Sequence, residues 1–189
     1  MYLTKKNYGR KIRLFVTVAI SMLLIALILN NAAKAMFPLK YKDMVYKYAM
    51  EFEIDPYLVF AIIKAESSFD PNAVSRKGAV GLMQISETTG KWGAENLKLD
   101  NYSANDLFNP EINIRIGCWY LNRLMKEFDH KLELVIAAYN GGSGNVSEWL
   151  KNRDYSSSGT RLDKIPFKET ERFLKRVKNY HAIYKTLYE

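Results

Sequence analysis

An uninterrupted apolar stretch, residues 58–63, constrains the fold of this chain more than any other feature. Asp55 and Pro56 precede it as a helix N-cap and a first helical residue, so the stretch is predicted to be helical. A helix without a polar face is buried, because no side of it suits water. Glu66 follows shortly after the stretch and is therefore expected near the C-terminal end of a mostly buried helix.

This position favours the neutral form of the Glu66 carboxyl group. Partial desolvation raises a carboxyl pKa, and the negative end of the helix dipole gives no stabilisation to a charge placed there. A carboxyl whose pKa rises from about 4.3 toward about 6 or 7 can donate a proton near neutral pH and take one back later. A glutamate at a helix end can also simply turn into water, so the neighbouring sequence decides between the two interpretations.

A loop of small residues follows the glutamate. The dipeptide Asp70-Pro71 is predicted to end the helix, since proline cannot continue one. Residues 72–81 then include two glycines, which allow backbone to come close to a ligand. Gln84 adds an amide with one acceptor and two donors. The segment is therefore suited to line a binding groove beside Glu66.

The rest of the folded part carries helical signals and no alternating strand pattern of any length. Residues 86–89 predict a short capped turn that Gly90 ends, and residues 91–105 predict a loop with a short helical piece. The chain is thus predicted to be mainly α, with at most a small β-hairpin near residues 78–85. Helices are also predicted at residues 44–52, 110–127, 131–139 and 168–187, with a short helix at residues 146–150.

Residues 66–84 resemble the catalytic domain of the lytic transglycosylases, a lysozyme-like family. The matching pattern runs without a gap as Glu-Ser-x-Phe-x-Pro-x-Ala-x-Ser-x-x-Gly-Ala-x-Gly-Leu-Met-Gln. Further matches at residues 107–114, 137–142 and 165–170 extend the resemblance over roughly residues 50–184. A gapless match of this length is far more specific than a two-residue motif.

The resemblance implies a lysozyme-like helical fold and a defined reaction. Members of the family cleave the β-1,4 bond between N-acetylmuramic acid and N-acetylglucosamine in peptidoglycan, and they leave 1,6-anhydromuramic ends. Most glycosidases use two carboxylates, but no second acid accompanies the glutamate in this pattern. Carried over position by position, the family's roles make Glu66 the single acid/base and assign substrate binding to Ser75, Gln84, Tyr139 and Asn140.

Several of these substrate-binding assignments have a structural alternative. The Ser75 hydroxyl could stabilise a turn, and the Gln84 amide could cap backbone groups of its own loop. An aromatic residue that ends an apolar helix, such as Tyr139, often serves packing. The sequence also departs from the family where Glu87 replaces a common proline and where Phe173 replaces a common tyrosine. The second change removes a hydroxyl near the family's site.

Two other functions remain open alongside the transglycosylase. A goose-type muramidase would share the fold but release reducing ends. A non-catalytic, membrane-anchored wall-binding module is the other alternative, and Phe173 is the only feature that encourages it. A serine hydrolase is disfavoured, because Ser67 and Ser68 lack a Gly-x-Ser-x-Gly elbow and neither histidine has an evident partner.

The amino-terminal residues are predicted to form a membrane anchor or an export signal. Residues 14–29 form an apolar run behind five basic residues, between the usual lengths of a signal-peptide core and a membrane span. We therefore divide the chain into residues 1–35, a cytoplasmic basic flank with a signal anchor or signal peptide, and an exported catalytic domain, residues 36–189. An uncleaved anchor in the cytoplasmic membrane is favoured over cleavage after Ala35.

The charge distribution limits the partners. The chain carries a net charge of +8, but residues 1–40 hold seven basic residues and no acid, which leaves +1 for the remainder. The high isoelectric point is therefore no argument for nucleic-acid binding. Cys118 is the only cysteine and no Cys/His cluster has metal-ligand spacing, so we expect no disulfide, metal or cofactor. The expected partner is the glycan strand of peptidoglycan, bound by a monomer.

Overall fold

The computed structural model describes residues 2–189, with side chains from residue 10 onward. It separates into two compact units, Met1–Pro38 and Leu39–Glu189. In the first unit the described residues form helix α1, Tyr2–Met36, of which Arg10–Met36 is long and apolar enough to cross a membrane. Its large apolar side chains are exposed. A signal sequence has similar composition, so the predicted division at residue 35 stays a prediction.

The second unit consists of helices joined by loops, which confirms the predicted mainly α fold. Instead of a regular hairpin, two isolated antiparallel bridges are found among the described residues, Val74 with Val80 and Val80 with Ile85. The helices are α2 (Lys42–Glu51), α3 (Pro56–Glu66), α4 (Glu87–Leu97), a 3-10 helix (Ala104–Phe108), α5 (Pro110–Glu127), α6 (Leu132–Gly141), α7 (Ser143–Lys151) and α8 (Lys168–Tyr188).

Helix α3 lies at the centre of this unit, as its apolar sequence predicts. Residues 58–63 are at most 1% exposed, and α2 and α8 pack against the helix. Its start is fixed by Asp55, whose Oδ1 accepts a hydrogen bond from the Tyr57 backbone N–H at 2.8 Å. Asp55 Oδ2 lies 2.6 Å from His181 Nε2 on α8. The N-cap therefore also ties α3 to the last helix.

Helix α4 is longer than the sequence indicates. Ser86 caps it as predicted, with the Thr89 N–H donating to its hydroxyl oxygen at 3.1 Å, but the helix continues through Gly90 to Leu97. Gly90 is buried, and a Cβ there would overlap the Tyr102 hydroxyl. The prediction that Gly90 ends the helix is therefore wrong: the residue provides close packing rather than a stop.

Candidate active site

The end of α3 sets the position of the candidate acid. The helix ends at Glu66 itself, one turn before the predicted stop at Asp70-Pro71. Ser67 forms the C-cap, and its hydroxyl donates to the Leu82 carbonyl at 2.8 Å. Ser68 then adopts a left-handed backbone with φ of 52°. The chain thus turns away directly after Glu66, and the glutamate is the last helical residue before the loop that carries the family motif.

The Glu66 carboxyl is half-buried and is held close to its neutral form. Burial raises its pKa from 4.5 to about 7 by removing water from the charged state. The Arg176 cation opposes this shift, and the Glu169 anion adds to it. Among residues 10–189 the Glu66 side chain has neither a hydrogen bond nor an ion pair. A carboxyl in this state can hold a proton at neutral pH and give it to a bound molecule.

A cleft of about 490 Å³ opens beside Glu66. It gathers every residue that the sequence singles out for the site, although they come from α3, from the loop after it and from α6. Basic and acidic residues from the loop and from α8 complete its walls. The lining residues are Glu66, Ser75, Arg76, Lys77, Ala79, Gln84, Tyr139, Asn140 and Glu169.

Two of the predicted binding residues hold the loop in place. The Ser75 hydroxyl oxygen accepts from the Ala79 backbone N–H at 2.9 Å. Gln84 Nε2 donates to the carbonyls of Ala73 and Gly81, at 3.0 and 2.9 Å. The structural alternatives considered for these side chains are therefore realised. Both residues still line the cleft, and Gln84 Oε1 takes no part in those two bonds, so substrate contact stays a prediction.

Tyr139 and Asn140 connect the cleft to neighbouring elements. The Tyr139 hydroxyl donates to the Met83 carbonyl at 2.8 Å, and burial holds its pKa well above the usual value. The tyrosine therefore stays protonated and acts as a fixed donor. Asn140 Oδ1 accepts from the Thr170 hydroxyl on α8 at 2.9 Å. Its amide nitrogen makes no hydrogen bond within the described part of the chain.

Phe173 lies behind Tyr139 and not in the wall of the cleft. The two rings are nearly parallel, with an interplanar angle of 6° and centroids 6.5 Å apart. Phe173 is only 1% exposed. Phe173, which stands where the family commonly has tyrosine, therefore packs in the interior and does not contact the cleft.

Asn113 is a positioning residue that the sequence pattern does not reveal. It is fully buried on α5, where its Oδ1 accepts from the Met83 N–H at 2.8 Å. Its Nδ2 donates to the carbonyls of Val80 and Leu107, at 2.9 and 2.8 Å. A Cβ on Gly81 would overlap the Asn113 amide, so this glycine is needed for the approach. Its sequence signals are a place within the matched segment 107–114 and a polar residue on the inner face of an amphipathic helix, neither of which shows its partners.

Glu169 is the second acid that the sequence reasoning did not expect beside Glu66. It stands in the first turn of α8 and lines the same cleft. Unlike Glu66 it is exposed, and its Oε2 lies 3.4 Å from Lys77 Nζ. The two carboxyl groups therefore have different environments: one desolvated, the other in water and paired with a cation.

A larger cavity of about 730 Å³ lies away from these residues, beside the serine-rich segment 156–160. None of the predicted site residues lines it. Among the residues that the structure describes, no group of three or more His, Cys, Asp or Glu side chains is arranged to hold a metal ion. The Glu66 cleft is therefore the better candidate for chemistry.

Comparison with known proteins identifies the family. The family model described as "Transglycosylase SLT domain" matches residues 43–160. The soluble lytic murein transglycosylase of Escherichia coli (strain K12) is 36% identical over 156 residues, which cover 79% of this chain and 23% of that protein. The membrane-bound lytic murein transglycosylase C of Edwardsiella ictaluri is 39% identical over 123 residues, which cover 57% of this chain and 32% of that protein.

The fold agrees with this result. The crystal structure of the 70 kDa soluble lytic transglycosylase of Escherichia coli matches with a TM-score of 0.73 and 34% identity, covering 82% of this chain and 25% of that one. The predicted lysozyme-like fold is confirmed. The chain spans about a quarter to a third of the length of these relatives. From its sequence motifs, its fold and the family match, the chain belongs to the transglycosylase SLT domain family.

Proposed function

We propose that this chain is a peptidoglycan lytic transglycosylase with Glu66 as its single acid/base. The observation that carries the proposal is the half-buried Glu66 carboxyl beside a sugar-sized cleft, whose raised pKa of about 7 lets it carry a proton near neutral pH. The names of the relatives, soluble and membrane-bound lytic murein transglycosylases, support the same substrate. The bond cleaved is the β-1,4 link between N-acetylmuramic acid and N-acetylglucosamine.

The proposed reaction moves one proton out and one proton back. Protonated Glu66 gives its proton to the glycosidic oxygen as the bond to the muramyl C1 breaks. The N-acetyl group of the muramyl sugar, or a fixed dipole of the cleft wall, stabilises the positive charge that develops at C1. The Glu66 carboxylate then takes the proton of the muramyl 6-hydroxyl, whose oxygen closes the 1,6-anhydro ring. Glu66 ends protonated, and no water is consumed.

A goose-type muramidase is the second candidate, and Glu169 is the observation that favours it. A second acid in the lining of the cleft could activate a water molecule, as in glycosidases with two carboxylates. Two observations weigh against this role: the Glu169 side chain is exposed, and it forms an ion pair with Lys77. Because an exposed carboxylate interacts only weakly with neighbouring charges, the cleft does little to strengthen it as a base. A non-catalytic wall-binding module receives no support from Phe173, since that residue is buried behind Tyr139.

Product masses distinguish these candidates. Purified peptidoglycan is digested with the full chain in detergent, and the released fragments are weighed by mass spectrometry. A transglycosylase gives anhydro-muropeptides, each lighter by one water than the hydrolysis product. Reducing ends of full mass would replace the proposal by the muramidase, and intact peptidoglycan would favour the binding module.

The rate is expected to depend on pH through the protonation of Glu66. Because the first step needs the protonated acid, kcat/KM falls as the pH rises through about 7 and then drops about tenfold per pH unit. The measurement is the initial rate of muropeptide release between pH 5 and about 9 at constant ionic strength. A rate that already falls as the pH passes the ordinary glutamate pKa would contradict the raised pKa of Glu66. A rate that stays level at high pH would contradict the need for its protonated form.

We further propose that α1 places the catalytic unit at the outer face of the cytoplasmic membrane. The support is its candidate span, Arg10–Met36, together with the membrane-bound relatives. The basic residues before the apolar run favour the cytoplasmic side for the amino terminus. Cleavage after Ala35 would release the same unit instead. Fractionation of cells that produce the chain, followed by mass measurement of the product, decides between anchor and leader.

A further inference from the structure

Two neighbouring cations occupy the tip of a tight turn at the cleft. Arg76 and Lys77 are the central residues of a four-residue turn that the Gly78 N–H closes by donating to the Ser75 carbonyl at 3.0 Å. The Ser75 N–H donates to the Ala79 carbonyl at 2.9 Å, and the Ser75 side chain accepts from the Ala79 N–H. We call residues 75–79 the cationic turn.

The base of the cationic turn is fixed to the cleft. The Gly81 N–H donates to the Ala73 carbonyl at 2.9 Å, and Gln84 Nε2 bonds to both of those residues. Asn113 holds the same segment through the Val80 carbonyl. The backbone that carries the two cations is thus positioned by hydrogen bonds on both sides, which lowers the entropy cost of using them for recognition.

Both cations are available to a ligand. Lys77 Nζ lies 3.4 Å from Glu169 Oε2, but the two side chains are 84% and 66% exposed. An exposed pair of this kind contributes about 1 kcal/mol or less, so a ligand anion can replace it. Arg76 is exposed and forms no hydrogen bond or ion pair within residues 10–189. Its guanidinium can therefore take a carboxylate in a bidentate arrangement.

We propose that Arg76 and Lys77 form a carboxylate subsite that recognises the peptide carried by the muramic acid units of the strand. The inference rests on the proposed function, because it names which form of peptidoglycan the same cleft selects. In an intact strand the lactyl carboxyl of each muramic acid is bound in the amide to the peptide, so the N-acetylated sugar backbone is uncharged, whereas the attached peptides carry free carboxylates. Two cations carried by a fixed turn of the cleft wall thus complement the peptide and not the sugar, and they select strands that still bear peptides.

The test compares strands with and without peptides. Uncross-linked glycan strands free of phosphate-containing polymers are used intact, or after an amidase has removed the peptides and the lactyl carboxyl groups exposed by this hydrolysis have been converted to neutral methylamides. In the full chain, the Arg76→Ala/Lys77→Ala variant is expected to raise KM for intact strands about tenfold or more, with kcat within about twofold. On peptide-free strands it should match the unmodified protein. Arg76→Lys, which keeps the charge but loses the bidentate fork, should fall between the two.

A charge-matched control is Lys91→Ala/Lys126→Ala, which removes two exposed lysines outside the Glu66 cleft. It should leave KM unchanged on both substrates. If KM rose equally in the Arg76/Lys77 variant and in this control, the effect would come from the loss of net positive charge, and the subsite would be overturned. An equal rise on intact and peptide-free strands would overturn it as well, because the cations would then serve the sugar or the fold.

Binding measured without turnover separates this inference from the proposed function. In a Glu66→Gln background, the affinity for intact strands should fall about tenfold when both cations are removed, and the affinity for peptide-free strands should not change. If the unmodified protein cleaves neither substrate while this difference persists, the proposed function fails and the subsite stands. If anhydro products form but both affinities are unaffected by the substitutions, the subsite fails and the proposed function stands.

Discussion

Glu66→Gln lowers kcat on peptidoglycan by about 10³ to 10⁴-fold while the affinity for glycan strands is retained. General acid or base catalysis contributes about 10² to 10⁴-fold, and the proposed mechanism draws both from one carboxyl group, so the upper part of this range is expected. Glutamine has nearly the same shape and keeps a polar contact, but it cannot supply the proton. The measurement is the initial rate of muropeptide release, together with co-sedimentation of the variant with insoluble peptidoglycan.

The same substitution is expected to stabilise the protein in alkaline buffer. The Glu66 pKa rises from 4.5 to about 7 on folding, so between these values the folded state binds a proton that the unfolded state has lost. Stability attributable to this group is therefore full below about pH 4.5, falls as the pH approaches 7 and stays low above it. Glu66→Gln removes this loss, which is worth up to about 3 kcal/mol. Denaturation at pH 4 and pH 8 should show a gain only at pH 8.

Glu169→Gln is the matched control for both effects. It removes the other carboxyl group of the cleft, which is exposed and paired with Lys77. We expect less than about a tenfold loss of kcat and a change in stability of about 1 kcal/mol or less. A loss as large as that of Glu66→Gln would mean that the two carboxyl groups act together, which would contradict the single acid/base and favour hydrolysis.

Asn113→Ala is expected to give the largest loss of stability, about 3 to 5 kcal/mol. The substitution leaves three backbone groups without their side-chain partner: the Met83 N–H and the Val80 and Leu107 carbonyls. Each buried polar group without a partner costs about 1 to 3 kcal/mol. Activity should fall together with stability, because these bonds hold the segment that carries Gln84 against α5. Urea denaturation and the rate at a temperature where the variant remains folded measure the two effects.

Asn122→Ala on the same helix is the comparison for this prediction. Its Nδ2 makes one hydrogen bond, to the Phe52 carbonyl at 2.8 Å, away from the cleft. The expected cost is about 1 kcal/mol, with normal activity. Equal costs for the two alanine variants would show that the Asn113 network contributes little beyond an ordinary hydrogen bond.

The parts of the fold that the sequence predicts best are those with local signals. Helices α3 and α5 both begin at an Asx residue followed by proline, and in each the cap side chain accepts a backbone N–H in the next turn. The prediction for Gly90 is wrong because the role of this residue depends on a contact outside its own helix. It has the appearance of a helix stop, but its role is set by contact with Tyr102, which no pattern within α4 contains.

In the candidate site, too, features set by local sequence can be predicted and long-range contacts cannot. The family motif is sufficient to predict that Glu66 and Gln84 line one cleft, because both lie within one short segment of chain. Other contacts of the site join residues far apart in sequence: Asn113 is 30 residues from Met83, and Glu169 is 92 residues from Lys77. Such pairs depend on how α5 and α8 pack against the loop. Neither spacing nor composition contains that information.

A direct titration of Glu66 tests the central claim. The full chain is labelled with ¹³C at glutamate side-chain carboxyl groups, and the Glu66 resonance is assigned by its absence in Glu66→Gln. The account predicts that this resonance titrates at about pH 7, because burial disfavours the charged form. A midpoint near the ordinary value of 4.5 would show a carboxylate already ionised at neutral pH, which could not act as the proposed acid.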